Sequence, residues 1–317
     1  MTFLNSVFQL IEKGELSEAS FILGEFLEKD PYNEDIISGY YSIKYWQNRE
    51  FLLNQNHMND SLLKEWSQFE DKLKEKNYKM NPITITIKAY IIRKIANQLK
   101  NKFEKEGLDN TDVDLLNQLA INLISIGEID QAKEMLTYSK SIQSDNVQTL
   151  FLFGDLLCLE SELQQDEVLI SKGLSLIRDG YLLDNKEFPI HNMYSKILKD
   201  IYKELKFLYE EENRIQFWFS NFIMLKALQF DLRKLTADEI LKIEEEIERL
   251  EKELENVPKK FYEKTIARLI FFYLVVVHSL IYHYSNEERL QILLENIKIL
   301  SPKIFNDLIK ILLDIQN

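Results

Sequence analysis

Four histidines and one cysteine are the side chains with the widest chemical repertoire in this 317-residue chain. His57 and His191 stand alone, whereas His278 and His283 lie five apart. Two helical zinc ligands sit at i and i+4 with a glutamate between them, and neither condition is met here. The four therefore read as structural or interfacial histidines. Cys158 lies in the apolar run "FLFGDLLCLES", where a free thiol packs as a small hydrophobe. With one cysteine, no disulfide can form within the chain. "GDL" at 154–156 reads as the interior of a helix, not as the strand-to-helix elbow of a hydrolase. No glycine-rich phosphate loop is present. The acidic runs "EEEN" (210–213) and "EEEIERLEKELE" (244–255) resolve differently. In the second, Ile240, Ile243, Ile247, Leu250 and Leu254 form one apolar stripe, so its charges are a solvated helix face. That stripe also has the spacing of a short coiled-coil contact. Neither a catalytic set nor a metal or cofactor site emerges.

The elements that would position any site are helical. Period-two alternation is scarce and nearly every segment has helical periodicity, which gives an all-α chain of about thirteen helices by the periodicity rule. The one β-flavoured run, "ITITIKAY" (83–90), follows Asn81-Pro82, an N-cap and first-turn pair. It reads as one long helix from 82 to 106, stopped at Gly107. Thr236 with Glu239, and Ser285 with Glu288, have capping-box spacing. Ser301-Pro302 opens the last helix and Pro258 restarts the chain after the 237–256 helix. All eight glycines lie at or before Gly180, and the acidity concentrates there: residues 1–180 carry net −10 and the remainder −3. Two regions are expected, 1–182 and 183–317.

The net charge of −13 argues against nucleic acid, which needs a basic footprint. No basic start or cleavage site of a signal peptide is visible in "MTFLNSVFQLIEKGE", so the expected location is cytoplasmic. The apolar run "LIFFYLVVVHSLIY" (269–282) has 14 residues, about 21 Å of helix. Roughly 30 Å of hydrocarbon would need more, so it reads as a buried central helix. Any membrane contact, or docking to a membrane-associated complex, is expected through 269–284.

Two stretches repeat a pattern. "KGELSEASFIL" (13–23) and "IGEIDQAKEML" (126–136) each place Gly-Glu-aliphatic before an alanine. Gly14 and Gly127 would end one helix in the left-handed conformation. Ala19 and Ala132 would let the next helix approach closely. Leu16 and Leu23 in the first copy correspond to Ile129 and Leu136 in the second, while Phe26 continues the apolar face of the first and Pro31 closes it. These hairpins of about 34 residues resemble the tetratricopeptide repeat. The resemblance covers 1–33 and 113–146 and, less fully, 147–182. There Leu150, Phe153, Gly154 and Leu157 match, but a longer connection, "SELQQDEVLISKG", replaces the turn. It is weak over 34–55, and an irregular insert is expected over about 50–110.

The resemblance implies a right-handed solenoid of helix hairpins whose first helices line a concave groove for a partner segment. It places Leu4 and Phe8 on that inner face, then Ser38, Ser42 and Tyr45, then Asp114, Asn117 and Ile121, then Phe151 and Asp155. One subgroup of the family grips acidic peptide tails with basic residues. Asp114 and Asp155 depart from that pattern, which favours a neutral or basic segment. In "RIQFWFSNFIMLKALQF" (214–230), Trp218, Phe219 and Phe222, with Phe217, cannot all face one core. They mark a second interaction surface, and the C-terminal helices could pair two copies. The function expected is a non-catalytic protein–protein interaction scaffold, an adaptor or assembly factor. A peptide-sensing signalling regulator is the alternative.

Overall fold

The computed structural model describes residues 2–53, 59–107, 112–183, 188–284 and 286–316, and these are helical with no strand among them. They form two compact units, Met1–Ser144 and Asp145–Asn317. The glycine boundary at Gly180 falls inside a helix of the second unit. Sixteen α-helices are present among the described residues, against the thirteen expected.

The first unit contains α1 (Thr2–Lys13), α2 (Leu16–Lys29), α3 (Glu34–Gln47), the short α4 (Glu50–Leu53), α5 (Asn59–Glu75), α6 (Pro82–Glu106), α7 (Val113–Ser125) and α8 (Ile129–Ile142). Gly14 and Gly127 end their helices at φ +81° and +82°, values that suit a residue without a Cβ. Ala19 and Ala132 are buried behind them. α6 starts at Pro82 with Asn81 accepting from Thr84 N at 2.9 Å, and Gly107 follows its last residue at φ +79°.

α6 also accounts for a departure from open repeats. It packs against both α1 and α3, the two helices expected to line the groove. The Asn81 amide donates to Asp35 O (2.7 Å) and Ser38 Oγ (2.6 Å), and Ser42 Oγ lies 2.8 Å from Thr84 Oγ1. A Cβ on Gly39 would come within 2.6 Å of Ile83 Cδ1. The chain's own helix thus occupies the face where Ser38 and Ser42 were expected to meet a partner.

The second unit contains α9 (Val147–Gln164), α10 (Glu167–Leu183), a 3-10 turn (Ile190–Asn192), α11 (Lys196–Leu208), α12 (Glu212–Ala227), α13 (Ala237–Leu254), α14 (Lys259–Tyr282), α15 (Glu287–Leu300) and α16 (Pro302–Gln316). The expected long link between α9 and α10 is a two-residue turn. Gln165 takes the left-handed conformation without glycine, and Asp166 Oδ1 accepts from Val168 N at 2.9 Å. α9 and α10 cross at their glycines: a Cβ on Gly173 would fall 2.6 Å from Gly154 O and 2.8 Å from Cys158 Sγ.

α14 is the central helix, packed against α12, α13 and α15. It has 24 residues, not 14, so its length of about 36 Å would reach across a bilayer. Burial, not length, identifies it as a core helix. Its residues 265–279 are buried apart from Arg268, which is partly exposed. The Thr236–Glu239 capping box is formed at the start of α13. α15 begins one residue later than expected, capped by Asn286, whose side chain accepts from Arg289 N at 3.0 Å. Ser285 lies outside the described residues.

The two kinds of glycine predict opposite mutational signs. A Cβ on Gly24, in α2, would make only an ordinary contact, 3.5 Å from Tyr40. Gly24→Ala should therefore stabilise by roughly 0.5–1 kcal/mol. Gly173→Ala should destabilise by about 1–3 kcal/mol, because the atoms in the way are largely backbone. Urea unfolding of the full chain checks both.

Candidate functional site

The residues expected to line the inner groove are for the most part buried. Tyr45 packs on Phe69 with centroids 4.7 Å apart and carries the Arg49 guanidinium 3.6 Å from its ring centre. Its hydroxyl donates to Glu65 at 2.5 Å, and burial pushes its pKa up. Asn117 is fully buried and accepts from Ser139 Oγ at 3.0 Å. Phe151 is buried against Tyr181 and Phe188. Asp114 is exposed on the first turn of α7, and Ile121 is half-buried.

Asp155 has a defined structural task. It is 1% exposed, and its oxygens accept from Tyr194 N (2.7 Å) and Ser195 N (2.9 Å). Two turns along α9, Glu162 accepts from Lys196 N and Ile197 N, both at 2.9 Å. The two carboxylates satisfy the amides at the start of α11, where a helix leaves its first N–H groups unpaired. Burial raises the Asp155 pKa, and these hydrogen bonds oppose the shift.

Histidines do similar work in the 228–235 link between α12 and α13. His278 Nε2 lies 2.9 Å from Phe230 O, His283 Nε2 3.1 Å from Leu232 O, and the Tyr282 and Tyr284 hydroxyls donate to Leu228 O and Leu235 O. From α10, buried Arg178 donates to Arg233 O at 3.0 Å and pairs with Asp179. Burial lowers the His278 pKa to about 4. Among the described residues its Nδ1 has no partner, so a second proton there would meet no acceptor. Burial also pushes the Cys158 thiol up, away from the nucleophilic thiolate.

Trp218, Phe219 and Phe222 are core residues of α12, with Trp218 Nε1 donating to Glu263 at 2.9 Å. Phe217, named beside them, faces a cavity of about 210 Å³. α12 contributes Gln216, Phe217 and Ser220 to its wall, and α13 contributes Arg249, Leu250 and Glu253. α14 adds Phe261, Lys264, Thr265 and Arg268, and α10 adds Tyr181. These sets have one-face spacing on their helices. Polar residues at 216 and 220, interrupting the apolar sequence around them, were the available signal.

Arg249 holds Glu246 and Glu253 at 2.7 Å each. Arg268 donates to Tyr181 O at 2.7 Å. Lys264 Nζ sits 5.6 Å from the centre of the Phe217 ring and, among the described residues, has no carboxylate partner. Ser220 and Thr265 are 7% and 6% exposed, yet among the described residues neither hydroxyl has a hydrogen-bond partner. Gln216 donates to Phe188 O at 3.2 Å while its Oε1 is buried without a partner. The wall can bind hydrogen-bonding and anionic groups; it contains no histidine or cysteine. A more open polar groove in the first unit, about 410 Å³, is lined by Glu12 and a face of α6 that includes Arg93, Lys94, Asn97 and Asn101. Its Arg93 is engaged by Glu128 at 2.7 Å.

Two expectations follow. Asp155→Ala should destabilise the chain by about 2–4 kcal/mol, since it strands two amides. An exposed groove residue would change stability by roughly 0.5 kcal/mol or less, so denaturant midpoints separate the cases. His278 is neutral when folded and titrates near its ordinary value of 6.5 when unfolded. Its stabilising effect is therefore complete above pH 6.5. It is lost at about 1.4 kcal/mol per pH unit as pH falls toward 4. His278→Gln should flatten the stability–pH slope between 6.5 and 4.5.

No family model matches this sequence, and neither does any curated protein or solved structure, so the geometry of the chain itself carries the functional reading.

Proposed function

We propose that this chain is a non-catalytic protein–protein interaction scaffold, an adaptor or assembly factor built on tetratricopeptide-like hairpins and working in the cytoplasm. The observation that carries this reading is the employment of its reactive side chains. Asp155, Glu162, His278, His283 and Arg178 are partners of main-chain groups. Such residues hold helices in place. They are not poised for proton transfer, which needs a group within reach of a reacting atom. The net charge of −13 favours a neutral or basic protein segment over nucleic acid.

A second reading, a regulator that senses a small ligand or peptide, is favoured by one feature: the cavity between α12, α13 and α14 with its unpartnered hydroxyls.

Affinity capture from the native cell, followed by reconstitution from purified components, tests the scaffold. The expected outcome is a partner that co-migrates with the chain in gel filtration at a fixed stoichiometry and resists nuclease. Capture of nothing beyond a tag control, or no complex on reconstitution, would overturn it.

A further inference from the structure

We infer that the cavity of the second unit recognises a small carboxylate with an apolar body and an adjacent N–H. That chemistry is shared by a free N-acyl amino acid and the C-terminal residue of a peptide. The inference rests on the sensing reading, not on the scaffold reading.

The hydroxyls are the first ground. A helical serine or threonine ordinarily returns its proton to a carbonyl one turn back. Ser42 does so to Ser38 O, Thr86 to Pro82 O, Ser175 to Ser171 O and Ser279 to Val275 O, at 2.7–3.1 Å. Ser220 and Thr265 do not, although both are more than nine-tenths buried. Both line the cavity, so their donors are directed to whatever fills it.

The remaining wall defines the occupant. Two hydroxyl donors and the Lys264 ammonium call for an anionic acceptor. Gln216 Oε1, buried and unpartnered, calls for a donor such as an amide N–H. Phe217, Leu250 and Phe261 provide apolar surface. The charge assigned is that of a carboxylate, whose one negative charge matches the ammonium of Lys264. The volume of about 210 Å³ holds about one residue, below the roughly 300–1,000 Å³ of drug-sized ligand sites.

Isothermal titration calorimetry on the full chain at pH 7 tests this with four probes. These are N-acetyl-leucine, its carboxamide, 4-methylpentanoate, and a short leucine-ending peptide with a free carboxylate. N-acetyl-leucine should bind, and amidation of its carboxylate should weaken it about tenfold or more. Loss of the N–H in 4-methylpentanoate should weaken it about threefold to tenfold. Lys264→Gln and Thr265→Val should each weaken the acid about tenfold. Thr265→Val should leave the urea midpoint unchanged or raised, because it removes no hydrogen bond between described residues. Tighter binding of the free acid than of the peptide identifies a small-molecule ligand, and the reverse identifies a chain terminus. Equal binding of acid and carboxamide, or binding indifferent to both variants, overturns the inference while leaving the sensing reading in place. Failure of the wild-type chain to bind any of the four overturns both.

Discussion

The structure depends on how its buried main-chain polar groups are satisfied without glycine. From Tyr181 onward the chain has no glycine to make tight turns, yet it must reverse direction between successive helices. A buried amide or carbonyl without a partner loses the free energy of a hydrogen bond. Side chains from neighbouring helices fill that need. Asp155 and Glu162 of α9 receive four amides at the start of α11. The link from α12 to α13 is fastened by Arg178 and Ser175 of α10 on one side and by His278, Tyr282 and His283 near the end of α14 on the other. Arg233 within that link joins Asp179 to Glu239, which hold it by charge-assisted hydrogen bonds.

This constraint accounts for the placement of Asp155, Glu162 and His278. A carboxylate that accepts two amides is fixed in position and cannot move a proton without releasing a helix. A histidine whose Nε2 faces a carbonyl, and whose buried Nδ1 has no partner among the described residues, is held neutral by burial. The same ties set the geometry of the cavity. α12, α13 and α14 are joined at one end by the fastened link, and the cavity wall is built from one face of each. Arg249, paired to Glu246 and Glu253 on α13, and Arg268, donating to Tyr181 O, give that wall a fixed charge pattern.

Local features were legible in the sequence and non-local ones were not. Asn81-Pro82, the Thr236–Glu239 box, Gly14, Gly107 and Gly127 each act within one helical turn, so their types and spacing suffice to place helix ends. The groove assignment needed to know what lies opposite α1 and α3. The answer, α6, comes from more than 30 residues further along the chain. Gln165 was unreadable as a turn because it enters the left-handed region without glycine, helped by Ser161 Oγ donating to Asp166 O at 2.6 Å. Asp155 looked like a groove residue because spacing gives the face of a helix but not the amides that meet it. The aromatic run at 217–222 was read as a second interaction surface, and Trp218, Phe219 and Phe222 are buried instead. Helical phase alone could not say that Trp218, Phe219 and Phe222 share the core while Phe217 turns to the cavity.

Among the described residues, buried side-chain atoms without a partner occur in the second unit at Asn221 Oδ1 and His278 Nδ1, and the cavity wall adds Gln216 Oε1. Each buried hydroxyl or amide oxygen left without a partner carries a penalty of about 1–3 kcal/mol, and a chain of ordinary stability has only about 5–15 kcal/mol in hand. Gln216 Oε1 is such an atom, and Ser220 and Thr265 stand on the same wall, beside an ammonium that has a ring face and, among the described residues, no carboxylate. Elsewhere in the unit the packing is tight enough that Gly173 leaves no room for a methyl group, so the opening is not a sign of generally loose packing. A local deficit of hydrogen bonds, set in a fold that satisfies its main chain by long-range side-chain contacts, has the form of a site whose missing partners arrive with a ligand.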